Sequence, residues 1–197
     1  MERDHGGSYR LGPKLRHLAM HALANPELRD FALPTMEALR DTVGETVNLT
    51  VRSGDEIIYV ERAIPSRMMR VEQIIGSRAP LHITAVGKLM LAETGVSGVR
   101  EYAKRTGLAG YTPNTLTNFE QLLDEIEVSC RQGYALDNEE AELGVGCIGI
   151  LIRDTAEAAL GGLSISCPIE RRDERWIALL IEAGDEISRK IRASIPL

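Results

Sequence analysis

Aromatic residues are scarce in this chain of 197 residues, which contains one Trp, five Tyr and two Phe. A folded core must therefore consist mainly of Leu, Ile, Val and Ala, which supply most of the remaining apolar volume. Hydrophobic residues make up 44% and charged residues 26% of the chain, as in ordinary globular domains. The length fits one large domain, or one domain with an additional arm, and is sufficient to bury a core without covalent cross-links.

Cysteine is also rare. The three cysteines, Cys130, Cys147 and Cys167, show no Cys-x-x-Cys spacing. An odd count without that spacing argues against a disulfide framework and a zinc ribbon. His17 and His21 have the i, i+4 spacing found in some metal sites, but two histidines alone are more simply explained as a solvated helix face. We therefore predict neither a metal site nor a cofactor.

Long apolar runs and an excess of basic residues are both absent. No run reaches the ~18 residues that a membrane helix needs, and no signal peptide is recognisable. We therefore expect a cytoplasmic protein without a membrane partner. The formal net charge of −6 differs from the basic balance that is typical of nucleic-acid-binding domains. This chain by itself is therefore not expected to bind nucleic acid.

The periodicity of apolar residues predicts the order helix, helix, hairpin, strand, helices, hairpin, helix. The predicted helices cover residues 13–25, 27–43, a segment after Thr84, and residues 98–106, 117–133 and 172–192. The predicted strands cover residues 47–51, 57–63, 68–75, 147–152 and 160–166, with a loop at 76–80. Because hairpins rather than alternating βα units connect the strands, the predicted class is α+β. We expect a mainly antiparallel central sheet flanked by helices, in a two-layer α/β arrangement.

Three local signals refine this prediction. Gly6-Gly7 favours a hairpin within residues 1–12. Apolar residues at every second position of 47–51 predict a strand with one buried face and one solvated face. Thr117 and Glu120 have the spacing of a capping box, which would begin the helix that follows them.

The segment from Pro80 to Lys88 is the first candidate site. Thr84 is a plausible N-cap, which leaves backbone amides such as those of Ala85 and Val86 without intrahelical partners. Unpaired amides at a helix start favour an anion such as a carboxylate or phosphate. A plain capped helix is the alternative interpretation. Gly87-Lys88 is not a phosphate-binding loop, because the position of that motif's first glycine holds His82.

Two further segments carry polar groups of interest. The acidic stretch 137–140 is most simply a solvated loop, and the glycines around Cys147 suggest that another group approaches the backbone there. Ser164 and Ser166 point to the same face of a predicted strand. That face is either exposed to solvent or lines a polar cavity, and the residues alone favour neither.

Nucleophilic catalysis is not predicted. Cys147, His82 and Asp137 supply the residue types of a Cys-His-Asp arrangement. However, Cys147 opens a predicted buried strand, where cysteine usually serves as a small hydrophobe. We therefore expect no catalytic residues and no enzyme, with a thiol hydrolase that uses Cys147 as a minor alternative.

The stretch from Gly133 to Asp154 contains a spaced pattern of glycine, acidic, cysteine and isoleucine residues. It reads Gly133-x3-Asp137-x2-Glu140-x6-Cys147-Ile148-Gly149-x2-Ile152-x-Asp154. This pattern resembles the signature region of the IclR family of bacterial transcription regulators and departs from it at Arg153, where the family has an aromatic residue or His. The motifs that also resemble the family in order and spacing are Tyr9-Arg10-Leu11-Gly12, Pro80-Leu81-His82, Gly87-Lys88 and Ser164-Ile165-Ser166-x-Pro168.

The resemblance implies an architecture and a role. Residues 1–12 would be a remnant of a winged helix-turn-helix wing, residues 13–25 a linker helix, and residues 26–197 a GAF-like effector-binding domain. The partners would be a small organic acid or aromatic effector, and DNA through an N-terminal domain that is missing from this chain. The protein would be a homodimer or homotetramer. A GAF-like oligomerisation module without a ligand is the alternative.

The resemblance also assigns the ligand-binding residues by motif position. They are Ala85, Val86, Asp137, Val145, Cys147, Ser164 and Ser166, with Met68, Val71 and Ala79 as an apolar wall. An ionised Asp137 would repel a ligand carboxylate, so we expect it to hydrogen-bond a ligand hydroxyl. The scarcity of aromatic residues favours an aliphatic over an aromatic acid.

Overall fold

The fold is given by a computed structural model that describes residues 2–3, 9–10 and 26–194. Strand β1 (Glu2–Arg3) pairs antiparallel with β2 (Tyr9–Arg10), which agrees with the hairpin predicted in residues 1–12. The helix predicted at residues 13–25, with its two histidines, lies outside the described residues. Within the described ranges, every helix is too short or too polar to span a membrane.

A six-stranded sheet forms the centre of the molecule, in the order β5-β4-β3-β8-β7-β6. Its strands are β3 (Thr46–Ser53), β4 (Glu56–Ala63), β5 (Arg78–Pro80), β6 (Ala135–Asn138), β7 (Val145–Arg153) and β8 (Ala159–Pro168). Every pairing between neighbouring strands is antiparallel. Pairing of β3 with β8 joins the two predicted hairpins, β3–β4 and β7–β8, into one sheet.

Helices cover both faces of this sheet. They are α1 (Pro26–Val43), α2 (Ala85–Ala92), α3 (Gly95–Thr106), α4 (Phe119–Gln132) and α5 (Trp176–Ser194). Helices α1 and α5 pack against the apolar face of the sheet and form the larger core with it. Helices α2, α3 and α4 share a second core on the opposite face. The α+β class with a flanked antiparallel sheet is confirmed.

Strand β3 is buried on both faces, so the prediction of one solvated face was wrong. Its apolar residues face α1 and α5, but the polar Thr46, Asn48 and Thr50 on the other face are fully buried as well. Buried polar groups need hydrogen-bond partners, and Thr46 Oγ1 donates to the carbonyl oxygen of Val71 at 2.5 Å. The alternating side chains of β3 therefore face two buried regions, an apolar one toward α1 and α5 and a polar one on the opposite face of the sheet.

Residues 64–77 form an irregular segment over the polar face, rather than the strand predicted at 68–75. Met68, Met69 and Ile74 are exposed there. Their apolar side chains led to the prediction of a strand, although they have no buried face to pack against. Part of the predicted loop at 76–80 instead forms β5, which pairs with β4. We call residues 64–77 the covering segment.

Two further local predictions are corrected. The acidic stretch predicted as a solvated loop includes β6, in which Asp137 lies opposite Cys147 of β7. The N-cap of α4 is Asn118 rather than Thr117, because Asn118 Oδ1 accepts hydrogen bonds from two amides of the first turn at 2.8 and 3.2 Å. A single side chain therefore satisfies two of the unpaired amides at that helix start.

Two glycines allow the start of α2 to lie directly on the sheet. A Cβ atom on Gly149 of β7 would lie 2.9 Å from the backbone nitrogen of Val86 and 2.8 Å from its Cγ1. A Cβ atom on Gly162 of β8 would lie 2.7 Å from Val86 Cβ. Real Cβ atoms avoid contacts this short, so both positions require glycine if α2 is to keep its place.

We predict that Gly149→Ala destabilises the fold by about 1–3 kcal/mol, because the new methyl group forces the first turn of α2 away from the sheet. Gly110→Ala is the matched control: a Cβ there meets only Thr117 Cγ2 at 3.4 Å, so its effect should stay within about 0.5 kcal/mol. Urea unfolding measures both free energies. Equal effects of the two substitutions would show that the contact with α2 is not tight.

Candidate ligand-binding cavity

A cavity of about 370 Å³ lies between the polar face of the sheet, the start of α2 and the covering segment. Nine of the ten predicted ligand-binding residues line it. They are Val71, Ala79, Ala85, Val86, Asp137, Val145, Cys147, Ser164 and Ser166. Met68 does not, because the covering segment leaves its side chain 99% exposed instead of placing it in a strand.

The register of the sheet places four polar residues in one row across the cavity floor. Thr46 of β3 lies opposite Ser166 of β8, Ser166 opposite Cys147 of β7, and Cys147 opposite Asp137 of β6. Asn48 Nδ2 donates to Ser166 Oγ at 3.1 Å, and Cys147 Sγ lies 3.2 Å from the same oxygen. Antiparallel pairing therefore assembles residues that are far apart in the chain.

Ser164 occupies the next row, opposite Asn48 on one side and Gly149 on the other. Its side chain lines the cavity and is only 5% exposed, and its hydroxyl has no hydrogen-bond partner within the described residues. A ligand in the cavity could form a hydrogen bond with this hydroxyl. The sequence left open whether Ser164 and Ser166 face solvent or a polar cavity, and in the structure both line the cavity.

The start of α2 adds backbone donors to the cavity wall. Thr84 is the N-cap, as predicted, and its Oγ1 accepts a hydrogen bond from the amide of Gly87 at 3.2 Å. The amides of Ala85 and Val86 have no acceptor in the described part of the chain, and both residues line the cavity. Unpaired amides at a helix start favour an anionic group.

Asp137 is almost completely buried at one end of the polar row. Burial and the neighbouring Glu140 carboxylate raise the pKa of Asp137 to about 6, although the amide of Glu140, which donates to Asp137 Oδ1 at 2.8 Å, and the charge of Lys88 oppose the increase. Near neutral pH, Asp137 therefore holds its proton for part of the time. It can then donate a hydrogen bond as well as accept one.

Glu140 is buried as well, and it holds a buried lysine. Lys88 Nζ lies 2.6 Å from Glu140 Oε1 and 3.2 Å from Glu125 Oε1, and its side chain is fully buried. Lys88 does not line the cavity. Lys88 of the Gly87-Lys88 motif therefore joins α2 to the loop after β6 and to α4. A buried charge that loses its partner is strongly destabilising, so these ion pairs keep the three elements together.

Cys147 and His82 do not form a catalytic pair. Both ring nitrogens of His82 are engaged elsewhere, with Nδ1 2.8 Å from the Tyr102 hydroxyl and Nε2 3.0 Å from the carbonyl oxygen of Ala109. Part of the Cys147 side chain faces the cavity, but burial and the nearby Asp137 raise the pKa of its thiol well above the ordinary range. A thiol that stays protonated is a poor nucleophile. No cluster of side chains suited to a metal ion occurs among the described residues.

Sequence reasoning missed seven lining residues. They are Tyr59, Arg70, Glu72, Gln73, Thr84, Ala141 and Glu142. Thr84 was identified only as a helix cap. The three from the covering segment were hidden in a predicted strand, and no local pattern marks an irregular segment that folds over a sheet.

Arg70 and Glu72 of the covering segment form a cluster with Arg62 of β4, which we call the charged triad. Arg70 donates to Glu72 Oε2 through Nε at 3.1 Å and Nη2 at 2.8 Å, and Arg62 Nη1 lies 3.1 Å from Glu72 Oε1. Beside this triad, Gln73 Oε1 is buried without a hydrogen-bond partner among the described residues. The side of the cavity next to the segment is therefore charged and polar.

The fold defines a GAF-like α+β domain, and comparison with known proteins gives its family. Residues 20–193 match the family described as bacterial transcriptional regulator IclR C-terminal. The chain therefore belongs to the IclR family.

Individual relatives agree with this assignment. The chain is 34% identical to the HTH-type transcriptional regulator KdgR of Dickeya chrysanthemi, over 91% of this chain and 60% of that protein, so it spans about three fifths of the relative's length. It is similar to the crystal structure of Thermotoga maritima IclR, with a TM-score of 0.81, 33% identity, and coverage of 96% of this chain and 78% of the other. An IclR homologue from Microbacterium hydrocarbonoxydans, in complex with 4-hydroxybenzoate, has a TM-score of 0.84, 28% identity, and coverage of 98% and 80%.

Asp137→Asn should stabilise the protein more at neutral than at acidic pH. The folded pKa of Asp137 is about 6 and its ordinary value is 3.8, so the folded state binds the proton more tightly and the wild type loses stability as pH rises between these values. The unfolding free energy of the variant minus that of the wild type should therefore increase by up to about 3 kcal/mol between pH 4 and pH 7. A difference that stays constant with pH would contradict the raised pKa.

Iodoacetamide at neutral pH should modify the three cysteines in the order of their accessibility. Cys130 is exposed, Cys147 is half-buried with a raised thiol pKa, and Cys167 is buried. We expect Cys130 to react first and Cys147 much more slowly, which peptide mass spectrometry can follow over time. Faster modification of Cys147 than of Cys130 would instead indicate an activated nucleophile.

Proposed function

We propose that this chain is the effector-sensing domain of an IclR-type transcription regulator and that the cavity binds a small organic acid. The observation that carries the proposal is the meeting of unpaired donors in one cavity: the buried Ser164 hydroxyl and the amides of Ala85 and Val86. A volume of about 370 Å³ is at the small end of the range for ligand pockets. The complex of a structural relative with 4-hydroxybenzoate supports the same role for this domain.

The contacts of the acid follow from the chemistry of the cavity wall. A carboxylate would accept hydrogen bonds from the amides of Ala85 and Val86 at the start of α2. A hydroxyl group would exchange hydrogen bonds with Asp137, which near neutral pH is protonated part of the time. The polar row supplies Ser166 and Cys147 beside these groups, and Val71, Ala79, Val86 and Val145 supply the apolar wall.

The lining favours an aliphatic acid over an aromatic one. Tyr59 is the one aromatic side chain among the lining residues that the structure describes. Aromatic ligands gain affinity from stacked or edge-to-face rings, and a single tyrosine offers little of this contact. The abundance of hydroxyl, amide and charged groups in the wall is better matched by a small polar acid.

In the regulator, binding would act through a change of population. The effector binds one conformational or oligomeric state more tightly and so shifts the equilibrium toward it. Residues 13–25 would act as a linker helix that transmits this shift, residues 1–12 would belong to a winged helix-turn-helix, and residues 26–197 would form the sensing domain. DNA would be contacted by an N-terminal domain of a longer protein that forms a homodimer or homotetramer.

The proposal can be tested by a thermal-shift screen against glyoxylate, pyruvate, sugar acids and hydroxybenzoates. An acid at about 100 times its dissociation constant should stabilise the protein by roughly 2.7 kcal/mol. For a domain of this size, this corresponds to a rise in Tm of about 5–10 °C. Ser164→Ala should reduce the shift, because the carboxylic acid loses a buried hydrogen-bond partner.

Ser129→Ala is the matched control, because Ser129 is another buried serine without a hydrogen-bond partner in the described residues and lies in α4, outside the cavity. Asp137→Asn should weaken the binding of hydroxylated acids more than the binding of the corresponding acids without the hydroxyl. The absence of any shift in folded protein free of bound ligand would favour an oligomerisation module without an effector.

A further inference from the structure

The charged triad carries more positive than negative charge. Arg62 and Arg70 share one carboxylate, Glu72, so the three side chains have a net charge of +1. Their side chains are 23%, 31% and 35% exposed, which places the group partly inside the protein. Charges in such positions are screened less by salt than charges on an open surface. The triad can therefore attract one further anionic group.

Arg70 is the member of the triad that reaches the cavity as a cation, and its donors are occupied by the protein itself. Two of its N–H groups bind Glu72, and Nη1 donates to the carbonyl oxygen of Arg67 at 2.9 Å. Glu72 also lines the cavity. The Glu72 carboxylate thus occupies the position on Arg70 that a carboxylate of a bound molecule would take, since a guanidinium group pairs with carboxylates through this two-donor geometry.

The triad lies on a different side of the cavity from the amides of α2. Arg62 belongs to β4, whereas the amide nitrogen of Val86 lies over Gly149 of β7, and β3 and β8 separate these two strands. Three strand spacings correspond to about 14 Å, part of which the long arginine side chains bridge. A dicarboxylate with roughly four to six carbons in total, both carboxyl carbons included, fits the remaining span.

Polar side chains lie near both groups. Gln73 Oε1 is buried without a hydrogen-bond partner among the described residues, and the buried residue Ser164 lines the cavity together with Gln73. They supply a donor and an acceptor for a hydroxyl or keto group. The other lining carboxylates repel an anion near Arg70 only weakly. Glu142 is exposed to water, and Asp137 lies on β6, four strands from β4 in the sheet.

We propose that the acid sensed by this cavity is a small dicarboxylate, with one carboxylate at the amides of Ala85 and Val86 and the second at Arg70 in exchange for Glu72. This inference rests on the proposed role of the cavity as an acid sensor and names the ligand class. Arg70 is then the residue that distinguishes dicarboxylates from monocarboxylates. Glu72 competes with the second carboxylate and lowers the affinity for it.

The test uses pairs of acids that differ only in the distal group. 2-Hydroxyglutarate is compared with 2-hydroxypentanoate, and malate with 2-hydroxybutanoate, by isothermal titration calorimetry. The wild type should bind the dicarboxylate of at least one pair about tenfold or more tightly than its monocarboxylate, because a charge-assisted hydrogen-bonded pair contributes that much. Arg70→Gln should bring the ratio of the two affinities close to one, because the second carboxylate loses its cationic partner.

Two variants separate recognition from effects on folding. Arg78→Gln removes another partly exposed arginine that is paired with a carboxylate, Glu56, at 3.0 Å but lies outside the cavity, and it should keep the preference. Glu72→Gln should bind the dicarboxylate several-fold more tightly, because Arg70 loses its internal partner. If the triad had a purely structural role, Arg70→Gln and Glu72→Gln would instead both lower the affinity for the dicarboxylate and for the monocarboxylate.

The possible outcomes distinguish the two proposals. Equal binding of both acids in each pair, or a preference that survives Arg70→Gln, would overturn the dicarboxylate inference and leave an acid sensor in place. Failure of every acid in these pairs and in the thermal-shift screen would overturn the acid sensor itself, and the dicarboxylate inference with it.

Discussion

The contact between the first turn of α2 and the glycines of β7 and β8 is the constraint on which the cavity depends. Gly149 and Gly162 leave no room for a Cβ atom beneath Val86, so the helix start rests on the backbone of the sheet. Ser164 lies opposite Gly149 in the register, which brings its hydroxyl close to the start of the helix. Without this close approach, the amide end of α2 would not reach the polar floor. The cavity would then lose the group that favours an anion.

Ion pairs, rather than sheet hydrogen bonds, hold much of the opposite wall. The fully buried Glu45 at the start of β3 binds Arg171 through two contacts at 2.7 and 2.9 Å and Arg67 of the covering segment at 2.9 Å. Since a buried carboxylate is costly without partners, these arginines fix the ends of neighbouring loops to the sheet. A segment held by charged contacts can exchange one partner for another, whereas a strand inside a sheet cannot do so without breaking its ladder.

Polar side chains from four strands form the floor of the cavity. Thr46, Ser166, Cys147 and Asp137 belong to four different strands, but they form one row because every pairing is antiparallel and in register. Hydrogen bonds connect Ser166 with Cys147 of the same row and with Asn48 of the next row. Asn48 Oδ1 is buried without a hydrogen-bond partner among the described residues, so this network is only partly satisfied.

Much of the fold followed from local sequence patterns. Period-two alternation predicted both hairpins and placed Ser164 and Ser166 on one face, and Thr84 was identified as the cap of α2. Nine of the ten residues assigned by the family resemblance line the cavity. These features depend on neighbours in the chain or on motifs with fixed spacing, so the sequence was sufficient to predict them.

The tertiary structure alone decided what covers the polar face. Alternation in β3 has the same pattern whether the polar side meets water or a second layer of protein, and only the packing of α2 and the covering segment makes it an interior. Arg70 and Glu72 reach the cavity through an irregular segment, whose path is set by contacts with distant residues such as Thr46 and Glu45. The sequence by itself therefore determined the strands of the two hairpins, the cap of α2 and the family, while the charged side of the cavity depended on contacts between residues far apart in the chain.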